Sequence, residues 1–287
     1  MARGSALLLI PFAALVGCGE AEYRAALERT NDYYAHVEKL DDNLASPVLA
    51  PPGGSSSVQV RVPRQFQLIQ PPEPQYDADG YEIPLPGGEQ RASDMTQPWY
   101  LGITLPGVAG AWSVQVRTDV AGESEYRPAY LYLMHNDVLR QQQIAAANGE
   151  GMMPEVDPYN LIPVVEETLA SAFGVEIPAG DAGNPDEFNV RYVERYPLSG
   201  AVRQYHEQKT VTEIRFQPDG YVDAFDIPYR FHLYEFTQNE GEDQVAFLLI
   251  APEAVERAEN LPARMDLMLS TMELRSAAPS GGGVIRF

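Results

Sequence analysis

Cysteine is almost absent from this sequence, since Cys18 is the only one among 287 residues. A single cysteine excludes an internal disulfide, and it excludes a metal site built from several thiolates. The fold must therefore be stabilised by its hydrophobic core alone.

Positive charge is also scarce. The chain has 20 Lys and Arg against 41 Asp and Glu, a formal net charge of −21, and its only lysines are Lys39 and Lys209. So acidic a surface repels phosphate backbones and anionic lipid headgroups. We therefore expect no nucleic-acid partner.

The usual catalytic signatures are missing as well. His206-Glu207 lacks the second histidine of a His-Glu-x-x-His zinc site, and the sequence has no Gly-x-Ser-x-Gly elbow, Ser-x-x-Lys pair or phosphate loop. His135-Asn136-Asp137 is interpreted as a turn at a strand end, with orientation of a catalytic base as the alternative. We predict no catalytic residues and no cofactor, although a triad assembled from distant residues stays open.

What the sequence does contain begins with an export signal at residues 1–17. Arg3 supplies a positive start, and residues 6–15 form an apolar stretch that small residues follow. This stretch has the build of a secretory signal and is too short to span a bilayer as a helix.

The signal ends in Leu15-Val16-Gly17-Cys18, which resembles the bacterial lipobox. The resemblance implies that the Cys18 thiol acquires a diacylglycerol, that the chain is cut before Cys18, and that the new N-terminus receives an acyl chain such as palmitate. Gly19 follows where such lipoproteins carry Asp for inner-membrane retention, so we expect an outer-membrane anchor facing the periplasm. An ordinary cleaved signal with a chance cysteine, or an uncleaved anchor, remains the alternative.

Residues 18–44 are predicted to form a tethered amphipathic helix, because apolar or small side chains recur at alternating spacings of three and four. The helix is interpreted as resting on its own domain or on the membrane, with self-association or a partner helix as the alternative. Residues 45–57 are rich in Pro, Gly and Ser, which predicts a flexible linker. The stripe consists of Tyr23, Ala26, Thr30, Tyr33, Val37, Leu40 and Leu44.

Residues 58–276 are predicted to form an α+β domain, a mostly antiparallel sheet covered by two main helices at 157–174 and 261–274. The first helix should start near Asn160, because Pro163 is tolerated only in a first turn, and should stop at Gly174. The halves 58–176 and 188–276 are either two similar units or one continuous sheet. Residues 70–98 are interpreted as a long loop and 277–287 as a flexible tail. The predicted strands are 58–69 with a break at Pro63, 99–105, 111–118, 129–134, 189–196, 200–208, 211–216, 229–237 and 244–251.

The order of elements from Tyr229 to Leu274 is a Tyr-rich strand, an acidic turn, a strand, and a helix that carries Met268-Leu269-Ser270-Thr271-Met272. This order resembles the end of the PsbP and Mog1 family. The resemblance implies an antiparallel sheet covered by helices and a role in binding or assembly. It covers less than a third of the chain and transfers no site residues.

Two acidic segments are candidate cation sites. Asp77, Asp79 and Glu82 surround Gly80 and imitate the start of a calcium loop, but the later bidentate glutamate is missing, so a surface turn is the simpler interpretation. The segment 181–187 shows even less pattern and is interpreted as a solvated loop.

Six of the 16 tyrosines lie between residues 192 and 234, where they serve either sheet packing or a binding surface. We therefore expect a non-enzymatic envelope lipoprotein that binds a protein or a glycan. The alternative is an envelope hydrolase or a calcium-dependent glycan-binding protein with its site in the acidic loops. A third possibility is a structural lipoprotein that acts by abundance. The tyrosines are Tyr192, Tyr196, Tyr205, Tyr221, Tyr229 and Tyr234.

Overall fold

The structure, a computed structural model, describes residues 17–50, 56–69, 103, 105–120, 123–149, 153, 156–179, 189–195, 208–216, 227–238 and 242–276. Over these residues the chain is α+β with antiparallel sheets, as predicted. The helices are α1 Gly17–Asn43, α2 Asn136–Ala147, α3 Leu161–Phe173, α4 Glu253–Glu259 and α5 Leu261–Leu269. The strands are β1 Val48–Ala50, β2 Ser56–Val60, β3 Gln67–Leu68, β4 Val108–Val120, β5 Glu123–His135, β6 Val190–Arg195, β7 Gln208–Phe216, β8 Tyr229–Gln238, β9 Asp243–Pro252 and β10 Glu273–Ser276.

Seven strands form one antiparallel sheet in the order β3-β4-β5-β9-β8-β7-β6. The central strand β9 pairs with both β5 and β8, so that Leu248 lies opposite Tyr132 on one side and Leu233 on the other. Every residue of β9 is buried, which explains the continuous apolar run that follows Asp243 and Gln244. Strands from both halves of the chain thus share one sheet.

Both faces of this sheet are covered. Along β5, Leu131 and Leu133 point to one core, and Tyr132 and Met134 point to the other, because successive strand residues face opposite ways. We call these the α5 face and the α3 face. The α3 face packs against Leu161, Val165 and Leu169 of α3. The α5 face packs against Leu261, Met265 and Met268 of α5 and against the small sheet β1-β2-β10.

This small sheet corrects the prediction of a flexible linker over 45–57. Residues 48–50 and 56–57 are strands, with Val48 opposite Val60 and Leu274 opposite Val58. The prediction is wrong there because β1 pairs with β2, and β2 pairs in turn with β10 far along the chain, so that Ala50 and Val58 are buried. Residues 51–55 lie outside the described residues.

Helix α3 agrees with the prediction for 157–174. A 3-10 turn at Pro158–Asn160 leads into Leu161, where the Asp157 carboxylate accepts a hydrogen bond of 3.0 Å from the backbone N–H of Tyr159. Pro163 lies in the first turn, and Gly174 ends the helix with a φ of 62°. A left-handed residue at this position is most easily glycine.

The predicted helix 261–274 is too long, because α5 ends at Leu269. The hydroxyls of Ser270 and Thr271 donate to the carbonyls of Leu267 and Met268 at 2.6 and 2.7 Å. These local bonds compete with helical continuation. Residues 273–276 then leave as β10 and pair with β2.

Other differences concern helices α2 and α4, which the sequence patterns do not predict, and the strand predicted at 99–105. Ile103 and Leu105 are buried but are not in a strand. The remaining residues of 99–105, all but Gln208 of 200–208, the loop 70–98 and the tail 277–287 lie outside the described residues.

Candidate functional site

Helix α1 confirms the helix predicted at 18–44, and its first two thirds project from the domain. All side chains at 21–35 are exposed, whereas Leu40 is half-buried and Leu44 is fully buried in the core. The base of the helix is fixed by Arg61, which donates to the Asp41 carboxylate at 2.8 Å and to the Ala45 carbonyl at 2.9 Å. Cys18 lies in the first turn of α1, but its side chain is outside the described part.

One side of the projecting helix carries large apolar side chains. Tyr23 and Tyr34 are each 64% exposed, Tyr33 is 56% exposed and Leu27 is 44% exposed. We call these four residues the aromatic face. Scattered apolar side chains on a surface are ordinary, but a contiguous group marks an interaction site.

The aromatic face has internal order. The rings of Tyr33 and Tyr34 meet edge to face, with centroids 5.7 Å apart. With Ala26, Arg29 and Thr30 they line a shallow depression that is wide open to solvent. Tyrosine combines apolar area with a polar tip, so this surface suits contact with a protein partner. The stripe predicted from the sequence omitted Leu27 and Tyr34, although each directly follows a stripe position.

The predicted cation ligands do not enter this site. Asp77, Asp79 and Glu82 lie outside the described residues, as does the segment 181–187. Within the ranges that are described, no three His, Cys, Asp or Glu side chains are grouped closely enough to hold a metal ion.

The histidines are not assembled into one site. His36 lies on α1, His232 is buried on β8, and His206 lies outside the described residues. His135 ends β5, and neither of its ring nitrogens has a hydrogen-bond partner among the described residues. The predicted turn at 135–137 is wrong, because Asn136 and Asp137 begin α2.

Burial lowers the pKa of His135 to about 4. The charges of Asp137 and Asp243 oppose this lowering, and Arg140 adds to it. His135 is fully buried, so it is neutral near pH 7 and closed to a substrate from outside. Its surroundings are therefore structural.

The neighbouring amides show the same structural role. Asn136 donates to the Glu242 carbonyl at 2.7 Å and accepts a hydrogen bond of 3.2 Å from the backbone N–H of Gln244. Gln244 donates to the Tyr159 carbonyl at 2.7 Å and accepts from the backbone N–H of Ile162 at 3.1 Å. These bonds connect β9 to the starts of α2 and α3.

A second buried polar group lies under α3, where the structure places Glu235, Glu166 and Arg191 together. Arg191 contacts Glu166 at 2.5 Å and Glu235 at 3.1 Å. Burial raises the pKa of Glu235 to about 8, with further raising by a hydrogen bond and the charge of Glu166, while Arg191 opposes it. No sequence pattern predicted this group, because its members come from three separate elements.

On the α5 face, Glu213 of β7 lies close to polar and charged side chains of β6 and β8. The Glu213 carboxylate accepts a hydrogen bond of 3.2 Å from the Tyr192 hydroxyl, lies 3.7 Å from Nδ1 of His232 and 3.9 Å from Arg230. Burial raises the pKa of Glu213, but His232, Tyr192 and Arg230 together lower it by more. The pKa of Glu213 is therefore below its usual value. The His232 ring is almost fully covered, which keeps this pair from an outside substrate.

Lys209 of β7 lies on the same α5 face. Its buried Nζ lies 3.1 Å from Glu194, 2.9 Å from Asp266 of α5 and 5.3 Å from the centre of the Tyr234 ring. The opposite charges neutralise one another and join β6, β7 and α5. Tyr229 and Tyr234 are buried, as the sheet-packing interpretation predicts, while Tyr196, Tyr205 and Tyr221 lie outside the described residues.

The candidate site is therefore the aromatic face of α1, which lies directly after Cys18. Over the described part of the chain, no helix combines the length and the apolar character needed to cross a membrane. Comparison with protein-family models and with curated protein sequences finds no match to this chain.

Proposed function

We propose that this chain is a membrane-anchored envelope lipoprotein that acts as a non-enzymatic binding or assembly module, with the aromatic face of α1 as its binding surface. The observation that carries the proposal is the exposure of every side chain at 21–35, with four large apolar ones on one side. Leaving this apolar area in water costs free energy that a partner recovers, at about 25 cal/mol per Å² buried.

The position of the face fits an anchored protein. Acyl chains on Cys18 each contribute roughly 0.8 kcal/mol per buried methylene, so two or three chains hold the protein on the membrane. The exposed segment 21–35 is about 22 Å long at 1.5 Å per residue. It therefore separates the membrane from the α+β domain. Gly19 favours the outer membrane, with the domain in the periplasm.

The anchor is tested by lipid labelling in cells. Labelled palmitate should enter the native protein and should be absent from Cys18→Ala, because the thiol is the acceptor in the lipobox reaction. The readout is radiolabel or click fluorescence in the immunoprecipitated band. Equal labelling of both proteins contradicts the anchor.

The binding surface is tested by crosslinking in intact cells, followed by affinity recovery of the tagged chain. A variant with Tyr23, Leu27 and Tyr34 changed to Gln should lose the specific crosslinked partner that the native chain recovers. Gln keeps helix propensity while it removes the apolar area. The matched control changes Ala25, Glu28 and Ala35 to Gln on the opposite side of the same turns.

The control should recover the partner at the native level. Equal recovery by all three proteins contradicts the assignment of the surface. Absence of any specific crosslink, with efficient crosslinking of a known envelope complex in the same cells, contradicts the function as a binding module.

A further inference from the structure

We infer that the aromatic face of α1 binds the aromatic face of a second copy of this chain, with the two helices parallel. The inference rests on the proposed function, since it names the partner of the same surface. Three features of α1 support it: the seven-residue repeat of its apolar side chains, the packing of the end of this repeat in the domain, and the positions of its charges.

The apolar side chains follow a seven-residue repeat. With Tyr23 at the first position of the repeat, a, the fourth position, d, is held by Ala26 and Tyr33, and the fifth, e, by Leu27 and Tyr34. All four members of the aromatic face thus occupy a, d or e. Positions a and d form the seam of a coiled coil, and an added e position widens it.

The same repeat continues into an established packing face. Beyond Tyr33, the d position Leu40 packs against the core on the α5 face, and the a position Leu44 is part of that core. The register is therefore a packing register at the end of the helix that enters the domain. Only its part at 21–35 lacks a covering element among the described residues.

The charges beside the seam favour a parallel pair. In this arrangement the seventh position, g, of one helix meets the next e position of the other. Arg29 then meets Tyr34 of the second copy, a contact suited to a cation–π interaction. No like charges meet. In the antiparallel register that is centred on residue 29, the two copies of Arg29 would meet.

The membrane anchor strengthens a short pair. About 22 Å of overlap, with Ala26 and Thr30 in the seam, gives a weak interaction in free solution. Two copies held on one membrane meet at a raised effective concentration, and both helices leave the membrane in the same direction. The anchor therefore supplies both the concentration and the parallel orientation.

Single cysteines test the contact in the mature, membrane-bound chain, where lipidated Cys18 offers no free thiol. Tyr23→Cys and Thr30→Cys lie at position a, and the matched controls Ala25→Cys and Glu28→Cys lie on the opposite side. After mild oxidation of intact cells, disulfide dimers on a non-reducing gel should form at 23 and 30 and stay at background at 25 and 28. Dimers at both a positions require a parallel pair, because in an antiparallel pair only one position along the helix can lie beside the same position of the second copy. Equal yields at all four positions, or none, overturn the inference.

Charge at the seam provides an independent test that does not depend on thiol reactivity. In the Thr30→Cys chain, Tyr33→Glu should lower the dimer yield at least about tenfold, because two like charges at a contact repel each other. Coexpression of Tyr33→Glu and Tyr33→Lys copies should restore mixed dimers, and Ala35→Glu should have no effect. Loss with Ala35→Glu as well, or no rescue in the mixture, overturns the inference.

Palmitate labelling of the same variants separates the two proposals. Labelled protein without seam-specific dimers overturns the second copy as partner and leaves the anchor in place. Seam-specific dimers without label support the helix pair and overturn the anchor.

Discussion

The free energy of unfolding should fall by about 2 kcal/mol as the pH rises from about 6.5 to about 8, and Glu235→Gln should remove this fall. The cause is the carboxyl of Glu235, whose pKa is raised from 4.5 to about 8 by burial beneath α3 and by the neighbouring Glu166. The measurement is a series of urea titrations across this pH range.

The sign follows from proton uptake. Below pH 4.5 the Glu235 carboxyl is protonated in both the folded and the unfolded chain. As the pH rises, the unfolded chain loses this proton first, while the folded chain keeps it until about pH 8. Stability from this group is thus complete at low pH and is lost as the pH approaches the folded pKa. Between pH 4.5 and 6.5 the loss of stability due to Glu235 is offset by His135, whose titration changes stability in the opposite direction.

The glutamine variant preserves the contacts while it removes the titration. The Gln side-chain oxygen can accept from Arg191, and its amide can donate to Glu166, as a protonated Glu235 does. Glu167→Gln is the matched control, because Glu167 is an exposed neighbour of Glu166 on α3. It should retain the native fall. A Glu235→Gln profile parallel to the native one contradicts the role of Glu235.

Periodicity predicted the parts of the fold whose burial follows from local pattern. The strand β9 was predicted because its residues are apolar on both faces, and both faces of the sheet are covered. The helix α3 was predicted because Pro163 and Gly174 mark its two ends. In both cases the residues that decide the structure are close together in sequence.

Helix α2 shows why local pattern is insufficient elsewhere. Only Asn136, Asp137 and Leu139 are buried in it, and two of the three are polar. Three glutamines and three alanines follow without an apolar stripe. The helix is stabilised by its start, where Asn136 donates to the carbonyls of Pro158 and Glu242, which lie 22 and 106 residues further along the chain. No periodicity reports such bonds.

The polar groups of the sheet were beyond prediction for the same reason. Arg191 on β6, Glu166 on α3 and Glu235 on β8 meet only because the strand order places β6, β7 and β8 side by side under α3. By contrast, the aromatic face could be predicted in part, because it lies on one helix. The stripe included Tyr23 and Tyr33, and the exposure of Leu27 and Tyr34 came from the structure.

The second large effect should appear in acid. Burial lowers the pKa of His135 from 6.5 to about 4, so the unfolded chain takes up a proton that the folded chain excludes as the pH falls between these values. This group alone should cost about 3 kcal/mol of stability by pH 4. Between pH 4.5 and 6.5 Glu235 titrates with the opposite sign, so the native profile should be nearly flat there.

His135→Phe should reveal the pH dependence of stability that Glu235 causes. It keeps a ring in the buried position and removes the proton uptake, so stability should fall continuously with pH from about 4.5 to 8. Glu235→Gln should instead show a rise from about 4 to 6.5 and then a plateau. The double variant should be flat through both windows, and His36→Phe on α1 should keep the native profile. A slope between pH 4 and 6.5 that survives in the double variant would contradict the assignment of the acid response to His135.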